Sequence, residues 1–340
     1  MDWGNGVTDM RTLEDGLGVR RLDSLDERQV EVLNVAPALA QLIGFEAAVR
    51  ARAARCGELS LDNVAAVKRI DRDGAALRIV ADHVDGLRLP DLLREARKSN
   101  PSLALPAALE LASQIVSAVA ALHRKPGFAH GAISPAHVVV TRQAKIVLTD
   151  CAFGDALETL HRNREQLWRE FRVAMPSSAS LPRFDVRSDV TQLGATVLSI
   201  MLRRPLTADE YPKSVSDLVN DATVDAGPGQ PGSAPSRLRM WLYQALQLHP
   251  RENFGSAVDA ERAFNDMLGA LGNRRAGVVA LQSLVRSIYG EAVPTATLVV
   301  PPLSAPETVL SRIPEAAPAE TSAGALQSLF RSVFPSSRAH

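Results

Sequence analysis

The chain has 340 residues, 46% of them apolar, with 38 Lys plus Arg set against 38 Asp plus Glu. The zero net charge argues against a nucleic-acid binder or a partner of strongly acidic character. The apolar share is enough for one large two-lobed domain or two ordinary ones.

In chain order, the first residues are mixed polar and glycine-rich, unlike a secretory signal. Residues 1–14 are expected to be a loose arm. Residues 30–35 read as a strand, residues 45–56 as an Ala- and Arg-rich helix, and residues 64–70 and 76–84 as two strands around a turn ending in Gly74. Helices then dominate. Residues 104–124 carry apolar side chains at helical spacing, and residues 190–203 are apolar all round, as a buried helix should be. Residues 206–236 read as a long Pro-, Gly- and Ser-rich loop with one short helix. Helical runs follow at 237–248 and 256–271. Apolar stretches such as residues 115–122 fall short of the ~20 residues a membrane span needs, so no span and a cytoplasmic location are expected. Strands first and helices afterwards predict an α+β fold in two lobes, with a small lobe over 15–85 and a large helical one over 86–272. The two cysteines, Cys56 and Cys151, have no metal-ligand spacing and read as reduced, buried thiols.

Residues 273–340 form a tail rich in Pro and Ala. It holds two near-copies of one segment, residues 280–289 and 325–334, identical at seven of ten positions. Leu281, Leu284, Val285 and Ile288 fall on one helical face, and Leu326, Leu329, Phe330 and Val333 repeat it. Such a face either packs on the domain or docks into a groove on a protein partner, with a bivalent gain if both copies act.

One central stretch carries the most information. His130, Gly131, Ala132, Ile133, Ser134, Pro135, Ala136 and His137 precede an apolar strand, a turn, a second strand and Asp150. This frame resembles the catalytic loop and metal-binding Asp of bacterial Ser/Thr protein kinases. The segments at Asp23–Arg28, Val80–Gly86, Leu122-His123, Asp185–Gly194 and His249–Ala257 resemble further family motifs in the family's order. The resemblance covers roughly residues 15–271. It implies a two-lobed protein kinase-like fold, with Ala81 at the gatekeeper position and His130 and Asp189 in structural roles. Asp189 would cap the buried helix and hold the catalytic-loop backbone.

Phosphoryl transfer needs a strand Lys for the phosphates, metal-holding groups and a residue that positions the acceptor hydroxyl. Here Leu33 stands at the Lys position, and Glu31 at the roof of the adenine site if the strand register is right. Ala132 stands where the base should be, and His137 where a metal-holding Asn should be. His137 is expected to be packed or solvent-facing, since a lone imidazole suits Mg poorly. Asp150 matches the family's metal-binding Asp, although Phe153-Gly154 offers an alternative register with Ala152 as the lost Asp. Gly16 and Gly18 are weak candidates for a phosphate loop, the alternative being an ordinary turn. Arg20, Arg21 and Arg28 could supply charge, but not from the Lys strand. Glu46 or Arg52 stands where the Lys partner would be, and either is expected to be a surface charge. Met175-Pro176-Ser177 and Asn253 replace a buried Glu–Arg pair, a joint loss that strands no charge. On the resemblance, the chain is expected to be a pseudokinase: not an enzyme, with no bound cofactor (ATP and Mg being disfavoured), acting as a scaffold. A phosphotransferase using Asp150 and His137 is the alternative.

Overall fold

The computed structural model describes residues 13–98, 103–225, 231–233, 235–249, 251–271 and 274–290. A five-stranded antiparallel sheet opens the chain, built from β1 (Leu13–Asp15), β2 (Gly18–Leu25), β3 (Arg28–Val35), β4 (Val67–Asp73) and β5 (Ala76–Asp82) in the order β1-β2-β3-β5-β4. A two-residue turn at Asp26-Glu27, both at positive φ, sets the β2–β3 register so that Leu25 pairs with Arg28 and Arg20 with Leu33. Between β3 and β4 lie a short α1 (Pro37–Ala40) and α2 (Phe45–Gly57), which buries Phe45, Val49 and Arg52.

A three-stranded sheet, β6 (Gly86–Arg88), β7 (Val138–Thr141) and β8 (Ile146–Leu148), lines the junction of the lobes. The helical lobe comprises α3 (Leu89–Lys98), α4 (Leu105–His123), α5 (Gly154–Glu158), α6 (Arg164–Phe171), α7 (Val186–Met201), α8 (Val215–Asp221), α9 (Ser236–Ala245), α10 (Ala257–Leu271) and α11 (Arg274–Tyr289). A small ladder of β9 (Thr223–Asp225) and β10 (Pro231–Ser233) interrupts the segment expected to be loop. The α+β two-lobed expectation holds. Helix α7 is buried along nearly its whole length, as its all-round apolar character requires. Helix α4 is long and apolar enough to cross a membrane by length and composition, contrary to the sequence expectation. However, 72% of its apolar window is buried inside the protein, as in a core helix.

Two apolar clusters hold the fold. The larger fills the helical lobe around α4, α7, α9 and α10. The second joins the lobes: Leu33, Phe45 and Ile79 meet Ala132, Ala152 and Phe153. Helix α11 packs on α4, burying Leu281, Leu284 and Val285 to 3% exposure or less, with Ile288 partly buried beside them. This corrects the docking reading of the first tail copy, whose apolar face is already spent on the domain. The second copy, with Leu326, Leu329, Phe330 and Val333, lies outside the described residues.

Candidate functional site

The site lies between the sheet and the catalytic-like loop. Side chains two apart on a strand share a face, and directly paired residues on neighbouring strands share it too. Arg20 pairs with Leu33, and Leu22 with Glu31, so Arg20, Leu33 and Glu31 all face the cleft. The strand register thus turns Glu31 inward, as expected. Leu33 is 2% exposed and belongs to the apolar cluster that joins the lobes.

The cation of the cleft comes from β2 instead. Arg20 is 2% exposed. Its guanidinium lies 3.0 Å from Asp150 Oδ1, 3.1 Å from Asp15 Oδ2 and 3.7 Å from Glu31 Oε1. Arg88, at the end of β6, donates to both oxygens of Glu31 at 2.7 and 2.6 Å and also to the Ala136 carbonyl. The Thr149 hydroxyl donates to Asp150 Oδ2 at 2.8 Å. Burial alone would raise the Asp150 pKa, but the charges of Arg20, His137 and Arg88 hold it well below the usual carboxylate range. Burial likewise opposes ionisation of Asp15, yet its hydrogen bond with His137 and the Arg20 charge lower it to about 2. Burial disfavours charge on Arg20 as well, and the Asp150, Asp15 and Glu31 carboxylates outweigh it.

The catalytic-like loop has turned apolar. Ala132 is fully buried among Ala152, Phe153 and Leu33, so its position is part of the core. His137 is 3% exposed, and its Nδ1 donates to the Ala132 carbonyl at 2.6 Å. Its Nε2 stands 3.7 Å from Asp15 and 3.8 Å from Asp150. It is therefore packed and bonded, with no face to solvent. Below the loop, Asp189 accepts from the His130 and Gly131 amides and from His123 Nε2 at 2.9 Å, which bears out its tethering role. The cap of α7 is a different residue, Asp185, whose Oδ1 accepts from the Arg187 and Ser188 amides at 3.0 Å. Burial lowers the His130 pKa to about 4, which leaves the ring neutral near pH 7.

Of the weak candidates for nucleotide contact, Asp150 and Ala81 line the cleft, and Gly16 and Gly18 do not. A Cβ on Gly16 would stand 1.9 Å from the Glu170 carbonyl oxygen, and one on Gly18, at φ +143°, 2.0 Å from that of Asn34. Both glycines are needed by backbone that crowds them. Asp15 keeps this turn in place by accepting from the Leu17 amide at 2.8 Å. Ala81 lines the cleft. Glu46 pairs with Arg50 and Arg72 at the surface. Arg52 corrects the surface-charge expectation: it is 3% exposed, pairs with Asp155 at 2.9 Å and lies over the Phe128 ring at 4.1 Å. Asn253 keeps a buried, unpartnered Oδ1 and no charge, and Met175 is buried.

In this arrangement the cleft encloses about 90 Å³, against the roughly 300 Å³ or more of a small-molecule pocket. Arg20 and Arg88, with the carboxylates they pair, line this space. One oxygen of Asp150 is held by Arg20 and the other by Thr149, and among the described residues no group of three His, Cys, Asp or Glu side chains could hold a metal. Sequence reasoning missed Arg88 and Thr149 altogether, and it named Arg20 only as one of three arginines that could supply charge from outside the Lys strand. The signal for Arg20 was available only through the hairpin register.

No protein-family model matches the chain. A probable serine/threonine-protein kinase of Streptomyces coelicolor is 28% identical over 197 residues, 56% of this chain, and the chain spans only 28% of that protein's length. Among solved structures, the Mycobacterium tuberculosis PknI kinase domain aligns with a TM-score of 0.54 and 20% identity, covering 76% of this chain and 94% of that one. A point mutant of the same domain gives a TM-score of 0.53 and 22% identity over 79% of this chain and 100% of that one. These findings overturn the expectation that the chain is not an enzyme. The curated relative is named as a kinase and the fold is that of a kinase domain, so the replacements at Leu33, Ala132 and His137 do not by themselves exclude phosphoryl transfer.

Proposed function

We propose that this chain, whose fold is that of a kinase domain and which resembles a probable Ser/Thr kinase over 197 residues, is a signalling protein that acts chiefly by docking a protein partner through its second tail copy. Helix α11 carries this reading. In it the repeated segment buries Leu281 and Leu284, the first two of its four apolar positions, against α4. Residues 325–334 carry the same leucines at the same spacing, with Phe330 in place of Val285. A face of that kind gains about 1.5–3 kcal/mol for each large side chain it buries. The matching partner surface is an apolar groove that takes one helix. The experiment replaces Leu329 and Phe330 with Glu in the full chain and, separately, Leu284 and Val285. The first pair should leave the melting temperature unchanged and abolish partner capture, quantified by mass spectrometry of cross-linked complexes. The second pair should lower the melting temperature. Equal capture by wild type and the Leu329/Phe330 variant would reject the docking reading.

Arg20 favours a second reading, phosphoryl transfer of a non-standard kind. It sits directly across the ladder from Leu33, so the cation missing from β3 is supplied from β2. Asp150 and His137 are the polar groups beside it. On this reading, transfer of γ-phosphate from ATP to a protein substrate is detectable in wild type and lost in Arg20→Met.

A further inference from the structure

A second cavity shares no lining residue with the cleft. It encloses about 370 Å³, within the range of a small-molecule pocket. The turn at Asp15-Gly16 forms one wall, the end of α6 another, and the loop at Ser134–Ala136 a third. The first two walls meet at Gly16, where a Cβ would stand 2.8 Å from the Phe171 ring. Trp168 lines the cavity as a fixed apolar plate. Its Nε1 donates to the Thr207 and Ala208 carbonyls at 3.1 Å, and the Tyr211 ring packs on it at 4.9 Å. Pro90, Pro135 and Leu206 extend the apolar lining. Among these walls Ser134 is 2% exposed, and its hydroxyl has no hydrogen-bond partner. It stands at the N-cap of the short turn Pro135–His137 but does not cap it. A buried hydroxyl left unpaired is uncommon in a folded protein. At the rim, Arg169 and Arg172 are exposed and hold no carboxylate among the described residues, Arg172 lying 5.6 Å from the Trp168 ring centre. Two of the wall's carboxylates are already paired, Asp15 with Arg20 and Glu170 with Arg162. That leaves Glu14 set against two guanidinium groups.

We propose that this cavity binds a small aromatic acid that carries a polar group opposite its carboxylate. The ring lies against Trp168 and the prolines, where apolar contact supplies the affinity. The polar group at the buried end takes up the Ser134 hydroxyl. The carboxylate at the exposed end meets Arg169 and Arg172, whose planar forks suit a carboxylate. An amine in the same place would face two like charges.

The test titrates the full chain by calorimetry with three probes: 4-hydroxyphenylacetate, phenylacetate, which lacks the phenol, and 4-hydroxyphenylacetamide, which lacks the charge. Wild type should bind the first more tightly than either of the others by about three- to tenfold, the worth of one hydrogen bond or exposed charge. Ser134→Ala breaks no hydrogen bond, so its melting temperature should not fall. It should bind the first two probes equally. Arg169→Gln combined with Arg172→Gln should bind the acid and the amide equally. Three results would overturn the proposal: no binding of 4-hydroxyphenylacetate by wild type at millimolar concentration, equal binding of all three probes, or the wild-type ranking kept in Ser134→Ala. The wild-type and Ser134→Ala titrations decide even if the double arginine variant folds poorly.

Discussion

Three carboxylates, those of Asp15, Glu31 and Asp150, converge on the guanidinium of Arg20, which is almost fully buried. Removing one partner of a buried charged group costs far more than the pair contributes, because the remaining charges stay desolvated. Arg20→Met keeps much of the side-chain volume and removes the charge. It should lower stability at pH 7 by about 3–5 kcal/mol, measured by urea unfolding. The pH dependence follows from Asp15, whose pKa falls from 3.8 to about 2 on folding. A carboxylate depressed in this way stabilises the fold fully above its unfolded pKa and loses that contribution as the pH drops through its folded one. Wild type should therefore lose about 2 kcal/mol between pH 4 and pH 2 from this group alone, and Arg20→Met, which keeps the His137 hydrogen bond to Asp15, should lose less over the same interval. Equal stabilities of the two proteins at pH 7 would show that the cluster is not held by Arg20.

At the level of elements, the loop from His130 to His137 is fastened to α7 at two points. Asp189 accepts from the His130 and Gly131 amides, and Gln192 Oε1 accepts from the Ile133 amide at 2.7 Å. Asp189→Ala leaves two buried amides and the His123 Nε2–H without an acceptor. That should cost more than ~1–3 kcal/mol, whereas Asp185→Ala, at an exposed cap, should cost about 1 kcal/mol. Thermal melts of the two variants in the reverse order would place the tether elsewhere. This tether was legible in the sequence because the spacing of Asp185, Asp189 and the loop is a motif. So was the inward turn of Glu31, since alternation along a strand fixes it once the strand is located. Which of Arg20, Arg21 and Arg28 would serve was not legible, and it is Arg20. Its place opposite Leu33 depends on a two-residue turn at Asp26-Glu27, and no glycine marks that turn. Helix α6 was missed because it is eight residues long and its main signal is a capping box of Asn163 and Gln166 among charged neighbours. The burial of α11 was undecidable for another reason. An amphipathic face has the same spacing whether it packs on its own domain or waits for a partner.

For the whole molecule, the two lobes are joined by apolar contacts that replace polar groups and by ion pairs that span the cleft. Leu33, Ala132 and Phe153 form one dry contact, and Arg20–Asp150 and Glu31–Arg88 bridge the lobes beside it. Both kinds of contact favour the closed arrangement, and the expected consequence is that a nucleotide opens the cleft to bind. The opening cost resembles that of breaking a buried pair, about 3–5 kcal/mol. At 1.4 kcal/mol per decade, a site that would hold ATP at about 1 µM is weakened to roughly 1 mM. Calorimetry of the wild type with ATP and Mg²⁺ should accordingly give a Kd near millimolar. Glu31→Gln removes a carboxylate from the adenine side and frees Arg88, so it should tighten ATP by at least about tenfold. Micromolar binding by wild type, or no gain in Glu31→Gln, would mean that the ion pairs do not govern access. The closed cleft would then be one of two arrangements of similar free energy.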